Sequence, residues 1–346
     1  MMLAALITGA GVIQIREFPE PSPAAGCVVV DVGYCGICGT DVHAYVSGRV
    51  YRPAICGHEW TGTVSAIGTG VVAVQEGDRV VVGVPPACGL CSACVDGSGA
   101  HCAVCVSVLH GRDPDAPPHG GFAARIAVNA SRVVSAHSNL DDETLAQVEP
   151  VAVALHAVNR SALRFGDVAV VLGAGPVGLT VMQCAFSAGA RDVVVVEPNV
   201  FRQALASELG ATSVCSIEAA ADIVADHTRG IGANVVYDCV GGTESLTASV
   251  GLARRGGSVS MIGLKDDLIS IDSATWLRKE ITTVSAIGYV RHEVEAAMDL
   301  LADGVVRVDQ LHTSTTNIEG LAATFAELAS GASNQMKVLV KPTWSS

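Results

Sequence analysis

The hydrophobic rhythm of the chain changes twice. From residue 1 to about 150, short Val/Ile-rich runs are broken by Gly, Pro and Asp: GCVVVDVGY, WTGTVSAIGTG, EGDRVVVGV and FAARIAVNASRVV. Runs of that length and β-branched content, with turn residues between them, predict an all-β barrel or sandwich. From about 153 to 286, strands and helices alternate. VAVVLGAG leads into the helical VGLTVMQCAFSAG, VVVVEP leads into VFRQALASELG, and NVVYDCVGG and GGSVSMIG follow. That alternation predicts a parallel sheet wound with helices, so the expected fold class is α/β plus β. The last stretch holds two helix-like segments, EVEAAMDLLADG and LAATFAELASG, and a closing strand, KVLVKP. The expected domains are 1–152, 153–286 and a C-terminal segment, 287–346, that docks back on the first.

Composition narrows the function. Of the 346 residues half are apolar and 16% charged, which fits a globular chain with two cores. A net charge of -13, with no basic run, argues against a nucleic-acid partner. No apolar run reaches the roughly 18 residues a membrane span needs. The start, MMLAALITGAGVIQIREF, lacks the charged leader and cleavage site of a signal peptide. A cytoplasmic protein is expected, whose 12 cysteines serve as thiols or metal ligands rather than disulfides.

Candidate chemistry lies in three places. Gly173-Ala174-Gly175-Pro176-Val177-Gly178 matches G-x-G-x-x-G, follows an apolar strand and opens a helix. There the first glycine makes a tight turn, the second admits a pyrophosphate and the third allows close packing. The next strand ends at Glu197, whose carboxylate can accept ribose hydroxyls and repel a 2′-phosphate, favouring NAD; Arg202 nearby tempers that preference. Cys88, Cys91, Cys94 and Cys102, in a lobe at about 85–105, suit a closed tetrahedral zinc site that orders a Gly/Ser-rich loop. His101 and Cys105 are neighbours that could compete as ligands.

The third place is GYCGICGTDVHAY, Gly33 to Tyr45. Its C-x-x-C pair admits three readings: a redox dithiol, half of a zinc site, or two unrelated core thiols. Cys38, His58 in GHEW and Glu149 in VEPVAVALHAV together supply a thiolate, an imidazole and a carboxylate. Such a set can hold zinc and leave a position for water or substrate.

GYCGICGTDVH, GHEWTGTV, the four-cysteine loop, EPVAVALHAV and GAGPVG, in that order, resemble the zinc-dependent medium-chain alcohol dehydrogenase family. The resemblance implies a GroES-like β domain interrupted by a Rossmann domain, with two zinc ions and NAD as cofactors. It implies Cys38, His58 and Glu149 as ligands of a catalytic zinc, and Glu59 as a mobile neighbouring carboxylate. Asp41 matches a residue that hydrogen-bonds the ligand imidazole, Thr40 a hydroxyl at the substrate oxygen, and His43 the end of a proton relay. Zinc lowers the pKa of a bound hydroxyl from about 16 toward 7, so hydride can pass to nicotinamide at neutral pH. Glu149-Pro150 and SAIGYVRHEVEAAMDLL resemble the polyol and 2,3-butanediol branch, so a vicinal diol or 2-hydroxyketone is the expected substrate. A polyol, an aminocyclitol or threonine is the alternative. Tyr45 and Trp60 are candidate pocket walls. Analogy implies a homo-oligomer, tetramer or dimer. Two competing classes are a zinc-free quinone-type reductase and a thiol-redox enzyme using Cys35 and Cys38.

Overall fold

The computed structural model describes residues 1–266, 268–331 and 333–343, which form two units. The first unit takes Met1–Glu149, Tyr289–Ala302 and the chain from Leu311 onward; the second takes Pro150–Gly288 and Asp303–Gln310.

The first unit is built on one long strand, Cys27–Gly36. Its sheet runs His312–Thr316, Lys337–Val340, Cys27–Gly36, Glu59–Ile67, Arg79–Val82, Val133–Ser135, and Arg125–Asn129 also pairs with the long strand. A separate hairpin joins Met2–Gly9 to Val12–Phe18. Two pairings decide where the chemistry sits. Gly36 lies opposite Glu59 on one side and Leu339 on the other. The strand that runs into Cys38 is therefore flanked by the strand starting at Glu59 and the strand starting at Lys337. Gly36 itself must lack a side chain, because a Cβ there would run into the Glu59 carboxylate. The apolar alternation of these strands closes a core of Val28, Val30, Trp60, Phe122, Ile126 and Phe325, with exposures near zero.

The second unit is a six-stranded parallel sheet ordered Ser213–Cys215, Asp192–Val196, Val168–Leu172, Ala233–Asp238, Ala253–Met261, Thr282–Ser285. Numbered along the chain that order is 3-2-1-4-5-6, the doubly wound arrangement that the strand–helix alternation predicts. Val168–Leu172 is buried at every position, as a strand covered on both faces must be, which explains its unbroken apolar run. Order reverses between Val168–Leu172 and Ala233–Asp238, so their carboxyl ends mark the ligand crevice of such sheets. Among the described residues no helix is long and apolar enough to cross a membrane.

Candidate active site

Cys38 is the N-cap of the helix Gly39–Ser47, and the backbone N–H of Cys38 donates to Asp41 Oδ2 at 3.0 Å. That contact is half of a capping box and fixes the turn on which the thiol stands. The thiol, the His58 imidazole and the Glu59 carboxylate place one ligand atom each within 4.8 Å of one another. A hydrogen bond also joins the Cys38 and His58 side chains. Burial would lower the His58 pKa, but the charges of Asp41, Cys38 and Glu149 and the Cys38 contact outweigh it and raise it well above the ordinary value. Thiolate, imidazole and carboxylate at this spacing fit zinc.

The ring is oriented from behind. His58 Nδ1 lies 2.9 Å from the Ile55 carbonyl oxygen, which requires a donor, so the proton sits on Nδ1 and Nε2 is left to coordinate. Thr40 Oγ1 is 3.5 Å from Nε2, at the face where substrate would meet the metal. Asp41 is fully buried but only approaches Nδ1 to 3.9 Å. Tyr51, which carries no motif signal, fills the interval.

Two carboxylates compete for the centre. Glu59 lies within the ligand triangle and is tied to Lys337 Nζ at 2.6 Å; the same ammonium donates to the Ile37 carbonyl at 3.1 Å. Burial pulls the Lys337 pKa down, yet the adjoining Glu59 carboxylate and Cys38 raise it overall. Glu149 opens the helix Val148–Arg160 and stays outside the triangle of close ligand atoms. Burial pushes its carboxyl up to about 7, with His58 and Lys337 pulling down and Glu59 and Asp41 pushing up. The buried Tyr289 hydroxyl hydrogen-bonds the Glu149 carboxylate. Sequence reasoning missed Lys337, Tyr51 and Tyr289. A lysine inside the apolar run QMKVLV was a legible clue to the first, because such a residue needs a buried partner.

The four cysteines of the lobe gather as a second set, also within 4.8 Å. Sulfur separations of 3.5 Å for Cys91–Cys94 and 4.0 Å for Cys88–Cys94 and Cys91–Cys102 bracket the ~3.8 Å expected of thiolates 2.3 Å from one tetrahedral ion. Backbone N–H groups already serve these sulfurs, Cys88 N to Cys102 at 3.3 Å and Cys91 N to Cys88 at 3.4 Å. Burial opposes the Cys102 thiolate, but the backbone N–H groups of Cys88, Cys105 and Val104 and the Cys88 side chain bring its pKa down to about 6. Cys105 donates its thiol to the Pro85 carbonyl instead, and neither it nor His101 joins the set.

In the second unit the three loop glycines differ in their surroundings. Gly173 has φ +90° and a Cβ on it would meet Val240, which follows the partner strand at the reversal of order. A Cβ added on Gly175 would meet nothing within 4 Å, so that side of the backbone is open to a phosphate. A Cβ on Gly178 would collide with the Gly173 carbonyl. Pro176 and Val177 begin the helix Pro176–Ser187, whose first N–H groups have no side-chain cap and face that opening. Glu197 is buried and held by two backbone donors, Ala174 N at 2.7 Å and Asn199 N at 2.9 Å. Arg202 keeps a buried Nε with no hydrogen-bond partner among the described residues, a donor left over for a ligand. Turn, opening and leftover donor fit a dinucleotide.

Trp60 and Cys35 belong to the first unit's core and Tyr45 packs against it. His43 lies half-buried on the helix Gly39–Ser47, one turn beyond Thr40. Trp60 is 2% exposed within the apolar core, so it fills the core and is no pocket wall. Tyr45 packs its ring on Phe325 at 5.4 Å and is partly core as well. Cys35 is wholly buried on the strand before Cys38, which leaves no accessible dithiol.

Residues 24–138 match the alcohol dehydrogenase GroES-like domain and residues 176–303 the zinc-binding dehydrogenase domain. The chain belongs to the zinc-dependent alcohol dehydrogenase family of NAD(P)-dependent oxidoreductases, with its GroES-like and Rossmann units. It is 34% identical to the 2-dehydro-3-deoxy-L-galactonate 5-dehydrogenase of Pseudoalteromonas atlantica, covering 98% of each chain. It is 31% identical to the (R,R)-butanediol dehydrogenase of Bacillus subtilis, over 95% of this chain and 96% of that one. The crystal structure of 2R,3R-butanediol dehydrogenase from Bacillus subtilis superposes with a TM-score of 0.84 at 30% identity, covering 99% of this chain and 100% of that one.

Proposed function

We infer that the substrate is a secondary alcohol with an oxygen on the neighbouring carbon, a vicinal diol or its 2-hydroxyketone, oxidised or reduced with NAD. The observation that carries the reaction is the triangle of Cys38, His58 and Glu59 ligand atoms, with Glu149 buried beside it. The 31% identity to a butanediol dehydrogenase supports the diol. Zinc held by these residues would supply Lewis acidity toward the hydroxyl oxygen, and a bound nicotinamide would supply the hydride acceptor.

The chain's own residues do the rest. Cys38 and His58 hold the metal. Glu149 would complete the set directly or through water, and the Tyr289 hydroxyl hydrogen-bonds its carboxylate. Lys337 restrains Glu59 until the centre exchanges a ligand. Thr40 would accept the substrate proton while handing on its own through the cofactor ribose, and His43 would release the relayed proton outward. In the second unit Gly173, Gly175 and Gly178 seat the pyrophosphate on the helix N-terminus. Glu197, pinned at the loop, presents negative charge where a 2′-phosphate would lie, and Arg202 offers its leftover donor to the ribose.

The 34% identity to a sugar-acid dehydrogenase favours a second reading, a secondary hydroxyl of a deoxy-keto acid. Both readings share the vicinal polar group and differ in the carboxylate. All 12 cysteines are free thiols, which suits a reducing compartment such as the cytoplasm. The edge strand Thr282–Ser285, with exposed Leu277 and Ile287 beside it, supports a homo-oligomer. The experiment is a panel of 2,3-butanediol and acetoin, sorbitol, threonine and a 2-keto-3-deoxy sugar acid, each with NAD and NADP. The diol reading requires the highest kcat/KM for butanediol or acetoin with NAD; tenfold preference for the sugar acid would replace it.

A further inference from the structure

The clamp behind His58 has one more part than an aspartate. Asp41 ties together both ligand segments through the backbone: Oδ2 accepts from Cys38 N at 3.0 Å, and Oδ1 from Gly57 N, just before His58, at 3.3 Å. Its carboxylate nevertheless stops 3.9 Å short of the ring nitrogen, beyond hydrogen-bond reach. The Tyr51 hydroxyl donates to Asp41 Oδ1 at 2.8 Å and stands 3.4 Å from His58 Nδ1. Nδ1 in turn donates to the Ile55 carbonyl at 2.9 Å. The phenol ring packs against the first unit's core. Filling that core would need only the ring; the hydroxyl, joined to a buried carboxylate, is the part without a packing purpose.

The geometry points to Tyr51 as a positioning residue for the catalytic metal: its hydroxyl carries the Asp41 charge to the back of the His58 ring and holds Nε2 toward the ion. This rests on the reading that Cys38 and His58 bind zinc. With the hydroxyl in place, Asp41 is satisfied by three donors and the ring is bounded by Ile55 and Tyr51 together. Without it, Asp41 keeps two backbone donors and no hydrogen-bonding group bridges its carboxylate and the imidazole. Supporting groups of this kind set metal affinity by about 10–100-fold.

The test uses the full chain as wild type, Tyr51→Phe and Asp41→Asn. Zinc affinity is measured by competition with a chromophoric chelator, and the cobalt(II)-substituted proteins are compared by visible spectrum. Tyr51→Phe is expected to lose about 10–100-fold in affinity at one of two sites and to shift the cobalt bands, with the four-cysteine site and the urea midpoint unchanged. Wild-type affinity and spectrum in Tyr51→Phe would overturn the assignment. Should that variant fold poorly, Asp41→Asn makes the same test from the other end, because it removes the charge and keeps the hydroxyl; unchanged zinc affinity there overturns it equally. A wild type that binds one zinc per chain, with Cys38→Ser binding no less, would overturn the metal reading itself and this inference with it.

Discussion

The ammonium of Lys337 and the carboxylate of Glu59 are both almost wholly buried, at 3% and 1% exposure, and each is the other's counter-ion. Taking away one member of such a pair strands a charge in a poorly solvated place and costs about 3–5 kcal/mol, far more than the pair contributes relative to apolar residues. Lys337→Met should therefore lower unfolding free energy by about that amount, and Lys337→Met with Glu59→Leu should recover most of it. Urea denaturation of the zinc-loaded proteins measures both. Equal losses in the single and double variants would mean that the pair is not the source. At this scale the sequence was legible where residues sit close together, as in Cys38 to Asp41 or the four lobe cysteines. Lys337 and Glu59 are 278 positions apart, and no spacing rule links them. Tyr51 lies in a stretch with no period, so its hydroxyl could be placed only by three-dimensional geometry.

Among elements, the βα turn after Val168–Leu172 was the most legible, because its strand, loop and helix are contiguous and each glycine has a separate physical reason. The carboxylate at the end of the second strand is different. Sequence gives Glu197 its position, whereas the structure gives the two backbone donors that hold it. On the proposed NAD reading, Glu197→Ser removes the carboxylate that would repel a 2′-phosphate and keeps Arg202. The ratio of kcat/KM for NAD to that for NADP should fall by about tenfold or more, since one lost repulsion of about 1.4 kcal/mol already gives that factor. An unchanged ratio would remove Glu197 from cofactor choice. The strand–helix rhythm foretold the second unit's parallel, helix-wound sheet, and the structure supplies its strand order. Alternation in the first unit foretold strands but not their partners, because pairing between distant segments leaves no local trace.

For the molecule as a whole, acid sensitivity should include a component from a histidine that belongs to neither metal set. His119 is 3% exposed, stacks on Phe18 at 5.0 Å and places Nδ1 2.9 Å from the Gly120 carbonyl oxygen. Burial lowers its pKa below the ordinary 6.5, against the opposing Gly120 contact. The unfolded chain then binds the proton first, so stability is complete above pH 6.5 and falls as pH drops from there toward the depressed folded value. The slope cannot exceed about 1.4 kcal/mol per pH unit. In urea titrations at pH 7.5, 6.5 and 5.5, the stability difference between wild type and His119→Gln should shrink with acid. A pH-independent difference would exclude the histidine as its source.

The pairing of Lys337–Val340 with Cys27–Gly36 also has a consequence for how the protein is made. A ribosome releases Cys38, His58 and Glu59 early, and the cation that restrains Glu59 only 278 residues later. At about 5–20 residues per second that interval is roughly 14–56 s. For that time the nascent chain carries a thiol, an imidazole and an unrestrained carboxylate, open to whichever divalent ion the cell offers. Lys337 can restrain Glu59 only after translation has delivered the strand that carries it.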